Sequence, residues 1–334
     1  MRFKAVFLAL VFAIFGAWTA SAQTEPEPTK QVTVGMYIND IQAIDLRTHS
    51  YGVDFYLWFR WVGDDWNPVE GYELMNMFDP EGHVETVLYD EPQPQPDGSR
   101  YQIIRHQGLF SAKFPVGKYP FDSQELLVVI EDAEEGAETL QYIGDTAPLV
   151  VNGEIKLPGY QLGTPRADIR DKPYQTAFGD LAEPDVAAYS RVSFIVPITR
   201  PAASGVLKTF IPVLLIVLAA AFALLLDPTH VEARIGLAIT ALLTLVAMQF
   251  TMQAGLPEVA YLTLLDQIYL LSYLYVLVVI GLVVRGTRVD EQGQIQGGAG
   301  SVARLAKAGP ALAGGVTGLY VLAVLVTVAV NLAG

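Results

Sequence analysis

Four long uncharged segments in the carboxyl-terminal part of the chain restrict its fold more than any other feature. They run from Thr209 to Leu226, Ile235 to Pro257, Gln267 to Val284 and Ala308 to Gly334. Each is long enough to cross a bilayer as a helix, at roughly 20 residues per span. Because hydrocarbon offers the backbone no hydrogen-bond partners, a crossing segment of this kind must satisfy its own amides as a helix. With their flanks, the spans are expected at 207–226, 233–254, 262–284 and 308–332, with a linker at 285–307. Asp227 to Arg234 can only be a tight turn. Gly297 to Gly300 follows no strand and reads as flexible linker rather than a phosphate cradle.

Charge orients the spans. Arg285, Arg288, Arg304 and Lys307, against Asp290 and Glu291, put the loop between spans three and four in the cytoplasm. The loop between spans two and three carries Glu258 and no Lys or Arg, so it belongs outside, as does the carboxyl terminus. At the other end, Arg2 and Lys4 precede an apolar run from Ala5 to Trp18, and Ala20-Ser21-Ala22 follows. That is the pattern of a signal peptide over residues 1–22, with an uncleaved anchor as the alternative. The expected location is the inner membrane, multi-pass, with the amino-terminal domain and the carboxyl terminus on the periplasmic or extracellular side.

Residues 23–200 have a different chemistry. After a Pro/Glu-containing linker (Thr24 to Lys30), Val32, Val34, Met36 and Ile38 alternate with other residues. Val53, Phe55, Leu57, Phe59 and Trp61 form a second period-two row, and Val192, Phe194, Val196 and Ile198 a third. Turn clusters separate such runs, and no stretch from 31 to 198 keeps a 3.6-residue period. Many short strands with frequent turns predict an all-β sandwich of roughly ten strands ahead of an all-α four-helix membrane domain, residues 201–334.

The net charge of −14 argues against nucleic acid as a partner and favours cations. No cysteine exists, so disulfides and thiolate metal sites are excluded. H-E-x-x-H, G-x-S-x-G and Walker sequences are absent, which leaves no catalytic constellation and no cofactor requirement. His49, His83, His106 and His230 lack ligand spacing and read as ordinary surface or turn histidines.

The second span holds a distinctive stripe. Steps of four and three collect Glu232, Gly236, Thr240, Leu243, Ala247, Phe250 and Ala254 on one helical face. On periodicity alone two readings stay open: the wall of an ion pore, or small residues that let neighbouring helices approach.

The order of motifs resembles that of the pentameric ligand-gated ion channels, the Cys-loop receptor superfamily. Tyr119-Pro120-Phe121-Asp122 followed by Gln124 is similar to the signature loop, although Ala112 and Leu126 stand where animal members carry the bridging cysteines. That departure resembles the prokaryotic branch. Arg200-Pro201 resembles the family's pre-membrane arginine, Pro212 its outer proline, Gly255 to Gln267 its outer loop, and Trp66 with Pro68 a binding-loop W-x-P. The resemblance covers residues 31 to 334.

It implies a five-fold symmetric homo-oligomer in the lipid bilayer, passing monovalent cations when a small-molecule agonist binds between sandwiches. A non-conducting receptor or binding module on the same fold is the alternative. By position, Glu232 is the selectivity filter, where anion-selective relatives instead carry a proline and small residues. Gly236, Thr240, Leu243, Ala247, Phe250 and Ala254 line the pore, with Leu243, Ala247 and Phe250 as its hydrophobic gate. Asp122, paired with Arg200, couples sandwich to pore together with Phe121, Pro120, Pro257 and Asp45; Tyr261 shares the Pro257 loop. Glu73, Glu131, Phe178 and Tyr189 bind the ligand, with Trp61 facing them from the neighbour. The agonist is expected to be an amine, a proton or a divalent cation. Glu131, Asp132, Glu134 and Glu135 invite a Ca²⁺ reading, beside which stands a solvated acidic turn.

Overall fold

The fold is taken from a computed structural model that describes residues 29–176, 178–179, 187–286 and 298–333. The expected signal peptide and the linker residues Arg288, Asp290 and Glu291 lie outside the described residues. β1 (Lys30–Asp45) and β2 (Ser50–Trp61) pair antiparallel from Val32 opposite Trp61 to Asp45 opposite Ser50. Together with β4 (Val84–Val87), β5 (Gln93–Pro94), β6 (Arg100–Ser111) and β8 (Leu140–Val151) they make one sheet, ordered β4-β6-β2-β1-β8, with β5 on β6. The second sheet runs β10-β11-β7-β3, from β10 (Arg166–Tyr174), β11 (Ala187–Thr199), β7 (Ser123–Asp132) and β3 (Tyr72–Leu74), with β9 (Gln161–Leu162) on β11.

The period-two rows are the inner faces of these sheets. Val32 to Ile38, Val53 to Trp61, Leu126, Val128, Ile130 and Val192 to Ile198 contribute alternate side chains to one buried cluster. A fully buried side chain of this kind contributes about 1.5–3 kcal/mol relative to exposure. Ala112 and Leu126 are both in that cluster, so apolar packing occupies the positions where the resemblance looks for cysteines. The opposite row of β2 (Asp54, Tyr56, Trp58, Arg60) is only half-buried. The Trp58 indole crosses Gly35, where an added Cβ would lie 2.2 Å from its ring, so only glycine fits there.

Below the sandwich stand α1 (Ala202–Leu225), α2 (Val231–Gln253), α3 (Leu264–Gly286) and α4 (Gly298–Ala333), each with a segment apolar and long enough to span a membrane. α1 opens with a wide turn at Val206–Phe210, in which the Ile211 amide reaches the Val206 carbonyl five residues back. Pro212 explains it: without an N–H, proline leaves the carbonyl four residues earlier unpaired, and the ladder re-forms in a wider register. The helix itself begins at Ala202, before this turn and ahead of the expected 207.

A larger correction concerns α4, which starts at Gly298 and takes in residues assigned above to a flexible linker. The glycines weaken a helix, but the Ala, Arg, Leu and Lys of residues 302–308 are strong helix formers and carry it back toward Gly298. Between α2 and α3, Thr263 caps α3: its hydroxyl accepts the Asp266 amide at 3.1 Å, and Asp266 Oδ2 accepts the Thr263 amide at 3.0 Å. α3 is the most buried of the four helices and α4 the least. Gly309 of α4 lies so close to α1 that a Cβ would stand 2.5 Å from the Leu224 carbonyl oxygen.

Candidate functional site

On α2 the seven stripe residues, from Glu232 to Ala254, are all exposed on the subunit. Leu243 and Phe250 are large apolar side chains left 63% and 69% exposed, which a water-facing protein surface would not favour in a row. Arg234, Ala238, Ala241 and Leu245 occupy the buried face. The Arg234 guanidinium turns inward and donates from Nε to the Ala223 carbonyl at 2.7 Å. Ala233, Thr244 and Thr251 also lie on the exposed side, beside the stripe and not in it. Thr244 and Thr251 donate to the carbonyls of Thr240 and Ala247, at 2.8 and 3.0 Å, and so stay close to the helix surface.

At the junction of the two domains, Asp122 is almost fully buried and its carboxylate takes Arg200 Nε at 3.0 Å and Gln124 Nε2 at 2.7 Å. The Arg200 amide donates to the Asp122 carbonyl at 3.2 Å, and its guanidinium donates to the Tyr160 hydroxyl at 2.7 Å. The guanidinium also lies over the rings of Tyr160 and Tyr119, 4.6 and 5.1 Å from their centres. Tyr119 and Tyr160 were not among the residues expected here; a tyrosine in the signature loop and another after Pro158-Gly159 are the signals for them.

Phe121 meets Phe210 of α1 with ring centres 5.5 Å apart, and a Cβ on Gly205 would come within 3.0 Å of the Pro120 carbonyl oxygen. The Leu264 amide donates to the Gly117 carbonyl at 2.8 Å, while Leu256 and Val259 pack against the sandwich core. The signature loop thus touches α1, and Gly117 just ahead of it holds the start of α3. Pro257 lines a cavity of about 890 Å³ at this junction, shared with Arg47, Phe250 and Glu258. Asp45 does not join the Asp122–Arg200 pair. Its carboxylate accepts the amides of Arg47 and Thr48 at 2.9 and 3.3 Å, tying the turn after β1.

Glu73, Glu131, Phe178 and Tyr189 converge on a cavity of about 310 Å³, together with Tyr174 and Ala133. The β3–β7 register sets Glu73 opposite Glu131. Tyr174 is the hub of the aromatics, edge-on to Phe178 at 5.3 Å and to Tyr189 at 5.9 Å. Glu131 is not free: it accepts from Arg191 Nε and from the Tyr174 hydroxyl, the latter at 2.8 Å. Burial, together with this contact to Glu131, raises the Tyr174 phenol above its usual range. Tyr174 and Arg191 were missed from sequence because only the pairing of β10 with β11 and of β11 with β7 brings Tyr174 to the cavity and Arg191 to Glu131. Glu73 is exposed and is the carboxylate there available to a ligand.

Three expectations need correction. Trp61 is 2% exposed, belongs to the sandwich core, and donates to the Trp66 carbonyl at 3.1 Å, so it cannot face a ligand from the neighbour. The row facing outward from β2 is the alternate one. The acidic turn does not gather around an ion. Glu131 is held by Arg191, Asp132 caps the amides of Glu134 and Glu135 at 3.0 and 2.8 Å, and Glu135 pairs with Lys30 at 2.7 Å.

The third correction concerns the histidines. His49 is a turn residue and His230 is exposed, but His106 is wholly buried and within 3.0 Å of both His83 and the Tyr72 hydroxyl. Burial and the neighbouring His83 push the His106 imidazole down to about 3, and burial lowers His83 as well. Both are neutral at neutral pH.

No protein-family profile matches the chain. Among curated proteins it is similar to a proton-gated ion channel of Gloeobacter violaceus, 21% identical over 281 residues, covering 79% of this chain and 76% of that protein. It is also similar to a gamma-aminobutyric acid receptor subunit beta of Lymnaea stagnalis, 24% identical over 182 residues, 54% of this chain and 34% of that one. The corresponding subunit of Caenorhabditis elegans is 24% identical over 181 residues, with 54% and 31% covered. With a strand sandwich, four helices of membrane length, an Asp–Arg pair at their junction and these relatives, the chain is similar to the ligand-gated ion channels of the pentameric (Cys-loop receptor) superfamily, and its lack of cysteine fits the bacterial branch.

Proposed function

We propose that five copies of this chain form a ligand-gated, cation-selective channel in the inner membrane, with the sandwiches on the periplasmic side. The observation that carries the reading is the exposed face of α2, from Glu232 at one end to Leu243, Ala247 and Phe250 toward the other. A row of exposed apolar side chains beside a carboxylate suits a cyclic assembly in which five such faces surround one axis. Five Glu232 carboxylates at the cytoplasmic mouth attract cations and repel anions, and the apolar rings above them dewet the pore when it is narrow. Gly236 and Thr240, small or hydroxylated, leave room between filter and gate for partly hydrated ions.

The agonist in this reading is a small organic amine bound at the sandwich interface. Its ammonium is held by the Glu73 carboxylate and by the faces of Tyr174, Phe178 and Tyr189, which attract a cation electrostatically. Movement of the pocket's strands passes through β7 to the signature loop, and through Asp122–Arg200, Phe121–Phe210 and Pro120–Gly205 to α1. The relative named as proton-gated makes a proton the second agonist to test.

The experiment is current recording from liposomes or oocytes while stepping primary amines and pH, under a sodium chloride gradient. Wild type is expected to reverse near the cation potential and Glu232→Lys to move toward the chloride potential. An unchanged reversal potential in the variant would remove Glu232 from selectivity.

A further inference from the structure

A second cluster of ligand-type side chains lies at the β4–β6 edge of the sandwich, apart from the pore, the junction and the amine pocket. His83 leads into β4, and the β4–β6 register places Glu85 opposite His106. His83 Nε2 and His106 Nδ1 face each other at 3.0 Å, with the two rings stacked 5.1 Å apart. A carboxylate oxygen of Glu85 is 4.0 Å from the same His106 Nδ1, and the three ligand atoms all lie within 4.8 Å of one another. Among the described residues this is the only group of three or more His, Asp or Glu side chains gathered so closely.

The surroundings hold the ligands in place. Phe55 stacks on the buried His106 ring at 5.0 Å, and His106 Nε2 meets the Tyr72 hydroxyl at 3.0 Å. A partner on the far ring nitrogen is what fixes the tautomer of a metal-binding histidine and aims its other nitrogen. In the facing pair one nitrogen donates its N–H to the lone pair of the other. A divalent cation gains both nitrogens when the donor ring shifts that proton to its other nitrogen, which leaves a lone pair on each facing atom.

We infer that His83, His106 and Glu85 form a binding site for a divalent transition-metal ion of the Zn²⁺ class. Two nitrogens on a tetrahedral Zn²⁺, with bonds of about 2.0–2.1 Å, stand about 3.4 Å apart, so the present pair opens by a few tenths of an ångström. Glu85, half-exposed, swings in as the third ligand, and water completes the shell. Imidazole nitrogens favour Zn²⁺, Ni²⁺ and Cu²⁺ over the hard oxygen-seeking Ca²⁺. The site ties the β4–β6 edge of one sheet, through Tyr72, to β3 of the other, the strand that carries Glu73.

The test uses the full chain purified in detergent, stripped with a chelator and titrated with ZnCl₂ by calorimetry and thermal unfolding, with CoCl₂ absorbance as a spectroscopic reading of nitrogen ligation. Expected are saturable binding of one Zn²⁺ per chain, a higher unfolding temperature, and a Co²⁺ spectrum of low-coordinate nitrogen and oxygen ligation. His83→Ala is expected to abolish these, and Glu85→Gln to weaken binding by about 10- to 100-fold, the range seen when groups supporting a metal site are altered. The exposed Glu85 variant carries the test should His83→Ala fail to fold. Failure of wild type to bind Zn²⁺ saturably would overturn the site, as would wild-type affinity in both variants or equal affinity for Ca²⁺.

Discussion

Arg200→Met is the substitution whose consequence the structure defines most closely. Asp122 has its side chain 1% exposed and Arg200 17% exposed, and their carboxylate–guanidinium contact is 3.0 Å. Methionine keeps much of the arginine stem's volume between the rings of Tyr119 and Tyr160 but leaves the Asp122 carboxylate in the interior with only Gln124 as side-chain partner. Stranding one member of a buried pair costs about 3–5 kcal/mol. For a domain of the sandwich's size each kcal/mol shifts the unfolding temperature by about 2–4 °C, so the sandwich transition is expected to fall by roughly 6–20 °C.

Asp122→Asn is expected to cost less, about 1.5–3 kcal/mol, the worth of a hydrogen bond to a charged group. Its new amide can donate to Gln124 Oε1, which is buried and has no partner in the present arrangement. The assay is thermal unfolding of the purified protein for wild type, both single variants and the double variant. Strong non-additivity is the signature of a direct pair, with the double variant no worse than Arg200→Met alone. A fall below 2 °C in Arg200→Met, or effects that simply add, would refute the reasoning, since the pair would then be an exposed contact worth about 0–1 kcal/mol.

Two further outcomes follow from the same geometry. Leu243→Ser puts hydroxyls into the proposed apolar constriction, and channel opening is expected at lower agonist concentration, with measurable current at rest; activation unchanged from wild type would exclude Leu243 from the gate. In the amine pocket, Glu73→Gln is expected to raise the half-maximal amine concentration about two- to fivefold, the loss of one exposed charge–charge contact worth about 0.5–1 kcal/mol, while leaving unfolding temperature unchanged because Glu73 is exposed. An unchanged dose response in that variant would exclude Glu73 as the ammonium partner.

Much of the architecture was legible before any coordinate. A strand buried on one face needs period-two alternation, and β1, β2 and β11 carry it openly in Val32 to Ile38, Val53 to Trp61 and Val192 to Ile198. The same alternation decides against Trp61 as a ligand residue, because it shares the inward row with Phe55 and Phe59. The helix-face rule gathered Glu232 and Leu243 onto one stripe without a structure, since it depends only on 100° per residue, and the buried face opposite holds Arg234 and Leu245.

What pattern could not supply are contacts between residues distant in the chain. His83 and His106 look isolated at a separation of 23 residues, and only the β4–β6 register, with Tyr72 arriving from the other sheet, makes them a cluster. Arg191 and Tyr174 reach Glu131 because β10 and β11 pair in one register and β11 lies beside β7. The four acidic side chains from Glu131 to Glu135 suggested one ion site by sequence proximity. Tertiary packing gave three of them other partners: an arginine, a pair of backbone amides and a lysine. Local sequence determined the class of each element through periodicity and bilayer length, which are short-range properties. The identity of each charged group's partner was decided by strand order and helix packing, because hydrogen-bond and ion-pair geometry is set within a few ångströms, a scale on which chain separation carries no information.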